Sequence, residues 1–191
     1  MNSDAIASVF ARLDPALWLV TAASGSRRGG LIATFVNQAS IVPAMPRVSI
    51  GLARHHFTWE LIEASRTFGL HLLGEDHLDW VWRFGLRSGR VEDKMEGLKL
   101  ESRTGPPLLT DALAWLQCRV ETSLDTGDRT IFLGEVLEGR VLMSAPVLTM
   151  KRLLKLAPAE KLQELKDSLA RDAAVDAAAI HAWRTEHDAS R

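Results

Sequence analysis

The chain has 191 residues, of which 47% are apolar, so it is long enough for one domain with a substantial core and short for two. Its formal net charge of −1 argues against the basic surface that nucleic-acid-binding proteins carry. Its N-terminus does not resemble a secretion signal, and no run of about 20 apolar residues predicts a membrane span. We therefore expect a cytoplasmic protein that binds neither nucleic acid nor a membrane.

The first half of the chain alternates short apolar runs with turn-forming residues. Asn2 to Leu13 has the spacing of a short amphipathic helix, which Pro15 ends. Turns that contain glycine or proline then separate four predicted strands, at residues 17–23, 31–40, 47–53 and 67–73. Between the last two strands, residues 57–65 change to helical spacing.

The second half begins with a further predicted helix, because residues 78–85 repeat apolar side chains along one helix face. The polar segment 87–107 has no regular pattern, and connections of that length are usually functional or mobile. Residues 114–124 and 130–137 predict a hairpin, and residues 140–143 predict one more short strand.

The C-terminal part of the chain is predicted to be helical. Helical spacing begins at Thr149, Pro158 suits a first helical turn, and an alanine-rich helix is expected from about Asp172 to His187. The fold class is therefore mainly β, a β-barrel with inserted helices in residues 1–145. Residues 146–191 form a helical extension that packs on the barrel or on a partner subunit.

The segment from Gly29 to Thr58 has the most informative polar residues. Thr34, Asn37 and Ser40 precede a proline-rich bend, and Arg54 follows the next predicted strand. Two hydroxyls, an amide and a guanidinium at one sheet edge would suit a phosphate group. The alternative is an ordinary strand with polar residues facing water, and composition alone favours that alternative.

Five runs of the sequence resemble, in the same order, segments of the flavin reductase-like family, especially its modules fused to flavodiiron proteins. The runs are ATFVNQAS at 33–40, TFGLHLL at 67–73, FGLRSGRVEDKMEGL at 84–98, TGPPLLTDALAWLQCRVE at 104–121 and GDRTIFLGEV at 127–136. The resemblance covers roughly residues 10–140. It implies a six-stranded Greek-key split barrel that forms a homodimer and binds FMN near the subunit interface, with FAD as the less favoured flavin.

The resemblance also implies which residues contact the cofactor. Residues 33–36 would run beside the flavin, residues 37–40 would supply donors, and Arg54 and Thr58 would lie near the phosphate. A loop that borders the open face of the site would contain Arg83, Phe84, Asp93 and Lys94. The full set of implied cofactor-binding residues is Ala33, Thr34, Phe35, Val36, Asn37, Gln38, Ala39, Ser40, Arg54, Thr58, Arg83, Phe84 and Lys94.

The sequence departs from the family pattern in three places. Arg129 stands where the family often has a histidine, which puts the usual reductase activity in question. Ala44 and Met45 separate two prolines that are adjacent in relatives. His71 replaces an asparagine, so it could form a hydrogen bond or titrate near neutral pH.

The lone cysteine and a pair of adjacent histidines are the other side chains that could carry chemistry. Cys118 is the only cysteine, which excludes an internal disulfide, and its apolar neighbours predict a buried side chain rather than a nucleophile. The pair His55 and His56, with Glu60 four residues after His56, could suggest a metal, but the HExxH arrangement is missing. We therefore expect no metal, and no catalytic residue is assigned.

Two functions follow from these interpretations. The favoured one is an FMN-dependent oxidoreductase that transfers hydride from NADH or NADPH to flavin, for a monooxygenase or another electron acceptor. The alternative is a non-catalytic FMN-binding module for electron transfer or sensing, which Arg129 and the helical extension favour slightly.

Overall fold

A computed structural model describes residues 3–101 and 104–188 of the chain. Asn2, where the first helix was predicted to begin, lies outside the described residues, as do positions 102 and 103 of the predicted connection and 189–191 of the extension. The strands are β1 (Trp18–Ser24), β2 (Arg27–Ala33), β3 (Val36–Gln38), β4 (Arg47–Ala53), β5 (Thr67–Leu72), β6 (Ala114–Asp125) and β7 (Arg129–Val141). The helices are α1 (Ser3–Phe10), α2 (Phe57–Ser65), α3 (Leu78–Gly85), α4 (Met150–Leu156) and α5 (Ala159–Asp188), with a 3-10 turn at Glu75–His77.

The strands form one sheet in the order β2-β1-β5-β6-β7-β4-β3, with antiparallel neighbours. Its two edge strands, β2 and β3, are joined by only Thr34 and Phe35. Three Cα–Cα steps span at most about 11 Å, so the end of β2 and the start of β3 must lie close together, and the two edges of the sheet meet there. The sheet is therefore curled into a barrel with a seam at Thr34–Phe35, the mainly β barrel that the sequence predicts.

Two hydrophobic clusters hold this barrel together. The first lies between the sheet and α2 and includes Leu61, Phe68 and Phe132, all fully buried. The second packs α3 and the start of the C-terminal region against the other side of the sheet and includes Phe84 and Leu153. Burial of such side chains contributes about 1.5–3 kcal/mol each, so both clusters stabilise the position of the seam.

Several sequence predictions are confirmed in detail, and others are corrected. The helices predicted at 57–65 and 78–85 have those bounds. The single strand predicted at 31–40 is wrong, because the chain bends at Thr34 and its two parts pair with β1 and β4. That break is why the sheet has seven strands rather than six. The separate short strand predicted at 140–143 is wrong, because residues 140 and 141 are the end of β7 and residues 142 and 143 lie after it.

The C-terminal region is anchored to the barrel before α5 begins. Leu148 accepts a hydrogen bond from the Leu17 amide and donates one to the Leu73 carbonyl. One 30-residue helix, α5, replaces the separate helix expected from about Asp172. None of the helices in the described ranges is both long enough and apolar enough to cross a bilayer. The boundary proposed at residues 145 and 146 stays a prediction.

Candidate functional site

The seam presents two unused hydrogen-bonding side chains and an aromatic ring. Within the described ranges, the Thr34 hydroxyl and the Asn37 amide make no hydrogen bond to the protein. Thr34 is half-buried and Asn37 is exposed, and between them the Phe35 side chain is 54% exposed. An aromatic ring beside free donors is a surface on which a planar polar ligand can lie.

The next residues of this stretch are occupied by their own turn. The Gln38 side-chain amide donates to the Ser40 carbonyl at 2.7 Å, and the Ser40 hydroxyl accepts from the Val42 amide at 3.1 Å. The Ala39 amide donates to the Arg47 carbonyl. Gln38 and Ser40 would have to exchange these bonds for contacts with a ligand.

Arg54 lies at the opposite end of β4 from most of these donors. Asn37 pairs with Ser49, five positions before Arg54, which corresponds to about 17 Å along a strand. The Arg54 guanidinium contacts the Asp125 carboxylate at 2.7 Å and lies 5.7 Å from the Trp59 ring. The structure therefore groups Arg54 with the N-terminus of α2 and not with Asn37 and Ser40.

The start of α2 is the second part of the predicted site. His56 is the N-cap residue, and Thr58, in the first helical turn, is only 2% exposed. The first amide groups of a helix favour an anion, and Arg54 lies two residues before the cap. Thr58 thus lies in the first turn of a helix whose N-terminus would favour an anion, although its own side chain is buried.

The residues predicted on the bordering loop are mostly structural. Arg83 and Phe84 lie on α3 rather than on a loop, and Phe84 is buried in the second cluster. Lys94 is 5% exposed and donates to the carbonyls of Phe84 and Arg87 at 3.1 and 3.0 Å. Burial lowers the pKa of Lys94 to about 8, so the two carbonyl contacts hold a cation that is largely shielded from water.

A separate cleft of about 460 Å³ lies beyond that loop, between the β1–β2 turn and residues 89–93. Its lining includes Phe57 and several charged side chains. Two of its arginines are already paired, Arg28 with Asp93 at 2.6 Å and Arg90 with Glu60. None of residues 33–40 lines the cleft, so it is distinct from the seam.

Arg129 connects the seam to α5. Its guanidinium carbon lies 5.1 Å from the centre of the Phe35 ring, and its Nη2 is 2.8 Å from a carboxylate oxygen of Asp176. Burial raises the pKa of Asp176, and the charge on Arg129 opposes that rise. The sequence pattern gave no indication of Asp176, because it lies 47 residues after Arg129 on a polar helix.

A cluster of two histidines and an aspartate lies on the other side of Asp176. The side chains of His55, His56 and Asp172 each offer a ligand atom, and these atoms lie within 4.8 Å of one another. Glu60, which the sequence suggested as a partner, instead binds Arg90. Desolvation, followed by the charge of His55, lowers the pKa of His56 to about 4.

Two further predictions concern buried residues. Cys118 is fully buried in the first cluster, which confirms the predicted burial, and burial raises the pKa of its thiol to about 12. His71 forms the hydrogen bonds that were expected as one possibility. Titration near neutral pH, the other possibility, is wrong, because complete burial lowers the pKa of His71 to about 4.

The fold is thus that of a split-barrel protein, and the junction of its edge strands is a candidate binding surface. Residues 10–152 match the flavin reductase-like domain, and the chain belongs to that family. It is 32% identical over 143 residues to the ferric-chelate reductase (NAD(P)H) of Archaeoglobus fulgidus, covering 73% of this chain and 83% of that protein.

Two other relatives place the chain within the family. It is 30% identical to diflavin flavoprotein A 1 of Synechocystis, covering 74% of this chain but only 24% of that longer protein. A solved structure, the NADH:FAD oxidoreductase of Streptomyces globisporus, superposes with a TM-score of 0.64 at 26% identity, covering 74% of this chain and 85% of that one. The match therefore extends over the whole barrel and is not confined to one motif.

Proposed function

We propose that the chain is an FMN-binding flavin reductase that uses NADH or NADPH as its hydride donor. The observation that carries this proposal is family membership along residues 10–152, which include every strand of the barrel. The free donors of Thr34 and Asn37 and the exposed Phe35 ring fit the needs of a flavin at the seam. Reduced flavin carries extra charge, which nearby donors stabilise.

The residues divide into a ring end and a phosphate end. Residues 33–37 would contact the ring, and residues 38–40 would add donors once their local bonds open. At the other end, the N-terminus of α2, Thr58 and Arg54 would receive the phosphate. An extended mononucleotide has its anionic group far from its ring, so the separation of Arg54 from Asn37 along β4 suits such a ligand.

When bound, the flavin would supply the chemistry by accepting hydride and passing electrons to an acceptor. The protein contribution is to bind and orient, so no nucleophile or general base is required of these residues. Relatives named as an NAD(P)H reductase and an NADH:FAD oxidoreductase support a nicotinamide donor. The second of these names leaves FAD as an alternative flavin. The proposed electron acceptor is a monooxygenase or another acceptor.

The alternative is a non-catalytic FMN module for electron transfer or sensing. Arg129 favours it, because Asp176 and the Phe35 ring hold this guanidinium where the family often has a histidine. A bulky, fixed cation beside the seam would restrict access for a nicotinamide ring.

A titration followed by anaerobic reduction separates these functions. FMN added to the purified chain should bind and show quenched flavin fluorescence, and NADH or NADPH should then bleach its visible absorbance without oxygen. Thr34→Val should weaken FMN binding about tenfold through the loss of one donor. Thr122→Val, an exposed hydroxyl on β6, is the matched control. Binding without bleaching supports the module, and no binding contradicts both functions.

A further inference from the structure

We propose that His55, His56 and Asp172 bind a single divalent transition-metal cation, for which Zn²⁺ is the best chemical match. The site joins the segment before α2 to the middle of α5. Its evidence is the arrangement of the side chains themselves, so it does not rest on the proposed flavin chemistry.

The spacing of the ligand atoms fits a tetrahedral metal. His55 Nε2 lies 3.4 Å from Asp172 Oδ1, and all three ligand atoms lie within 4.8 Å of one another. Zinc bonds of about 2.0–2.1 Å to nitrogen and oxygen put neighbouring ligands roughly 3.4 Å apart. One edge of the tetrahedron therefore already has the length that zinc requires, and the two separations that involve His56 are at most 4.8 Å.

The second nitrogen of His55 has the partner that metal-binding histidines usually have. His55 Nδ1 lies 3.6 Å from Asp176 Oδ1, and the other oxygen of that carboxylate is held by Arg129 at 2.8 Å. A carboxylate at this nitrogen fixes the tautomer, so that the lone pair of Nε2 points toward the metal. Asp176 is 8% exposed, and a side chain so enclosed keeps a defined position.

Two buried atoms at the cluster lack hydrogen bonds. Within the part of the chain that the structure describes, His55 Nε2 and Asp176 Oδ1 are both buried without a hydrogen-bond partner. Such atoms cost about 1–3 kcal/mol each when they stay unsatisfied. A cation would bind His55 Nε2 directly. The proton of His55 would then lie on Nδ1 and face Asp176 Oδ1.

The donor set also selects the class of metal. Imidazole nitrogens suit Zn²⁺ and its transition-metal neighbours, whereas Ca²⁺ and Mg²⁺ prefer oxygen ligands throughout. The only thiol of the chain, Cys118, is buried in the first hydrophobic cluster and is not a ligand here. Three protein ligands leave one position for water or another small ligand. Bound metal would hold α5 against the loop before α2.

The test is a zinc titration of the tag-free chain, from which a chelator has first removed any metal. The titration contains no flavin, and a chromophoric chelator competes with the protein for zinc. We expect one zinc per chain with a dissociation constant at or below about 1 µM. His56→Ala and Asp172→Ala should each weaken binding on the order of 100-fold, and Asp176→Asn about tenfold. His181→Ala, an exposed histidine on the same helix, is the matched control and should leave the affinity unchanged.

Cobalt gives an independent measurement on the unmodified chain. A tetrahedral site with two imidazoles should produce visible d–d absorption from bound cobalt, and excess zinc should abolish it. Because this measurement needs no variant, it tests the site even if a histidine variant fails to fold. The proposal is overturned if zinc does not saturate a single site, or if Asp172→Ala and His181→Ala bind it equally well. Loss of FMN binding alone would leave the proposal intact, because the titration contains no flavin.

Discussion

His71 is a fully buried polar residue whose ring is held in one protonation state. Its Nδ1 donates to the Leu19 carbonyl at 3.1 Å, and its Nε2 accepts from the Leu109 amide at 2.9 Å. The neutral ring therefore satisfies both contacts, and a second proton would remove the acceptor. Desolvation by complete burial lowers the pKa of His71 to about 4, despite the Leu19 carbonyl, which favours the charged form.

We expect His71 to make the fold sensitive to acid. Its pKa in the folded chain lies below the unfolded value of 6.5, so its contribution to stability is present above pH 6.5 and is lost as the pH falls toward 4. Between pH 7 and pH 4 the free energy of unfolding should fall by about 3 kcal/mol more than in His71→Asn, which cannot titrate. Urea unfolding at four pH values measures the free energy of unfolding of both proteins. The prediction is contradicted if the two plots of that free energy against pH run parallel. His56 is present in both the unmodified chain and His71→Asn, so its contribution to the pH dependence cancels in the comparison.

Arg54 offers a test of the phosphate end of the site. Arg54→Ala should weaken FMN about tenfold and riboflavin much less, because only FMN carries a phosphate. Asp125→Asn should strengthen FMN binding, since it releases the guanidinium from its 2.7 Å ion pair. Arg119→Ala removes another exposed, paired arginine and is the control. Fluorescence titrations measure all four proteins, and equal losses for both flavins would remove Arg54 from this role.

At the scale of elements, α5 packs closely against the β6–β7 turn at Gly127. Gly127 has φ +91°, and a β-carbon there would lie 2.5 Å from Trp183 Cβ and 3.0 Å from the Ala179 carbonyl oxygen. Both the backbone conformation and the close approach of the helix therefore require glycine. The same contact holds α5 beside Arg129 and the histidine cluster.

Gly127→Ala should consequently release α5 as well as destabilise the turn. Backbone strain costs about 1–2 kcal/mol and overpacking about 1–3 kcal/mol more. Gly25→Ala is the matched control, because Gly25 also has a positive φ of +59° but no atom within 4 Å of an added β-carbon. Limited proteolysis and urea unfolding measure the difference, and equal effects of the two substitutions would show that the helix does not press on Gly127.

The sequence predicted elements well wherever the signal was local. The helices over 57–65 and 78–85 follow from apolar spacing, and Cys118 follows from its neighbours. The bend at Thr34 was missed, because residues 31–40 contain no proline or glycine to mark it, and only pairing with two different strands creates it. The contact of Asp172 with His55 was missed for a similar reason, since it depends on how α5 crosses the barrel.

At the scale of the whole molecule, the surface beside the seam is apolar as well as polar. Four apolar side chains between positions 35 and 45 are strongly exposed, namely Phe35 at 54%, Ile41 at 95%, Val42 at 41% and Met45 at 64%. Contiguous exposed apolar residues are typical of protein interfaces. Their position next to the proposed ring site supports the expected homodimer with FMN near the subunit interface.

If that surface forms the dimer, one charge placed within it should separate the subunits. Ile41→Asp should raise the dimer dissociation constant about 100-fold, because association would bury an unpaired carboxylate. Val91→Asp is the matched control, since Val91 is also 88% exposed but lies on the loop between α3 and β6. Sedimentation at several concentrations measures the dissociation. FMN affinity should fall together with the dimer in Ile41→Asp and stay unchanged in Val91→Asp. A dimer that persists in Ile41→Asp would place the interface elsewhere, and a monomer that still binds FMN fully would show that one subunit completes the site.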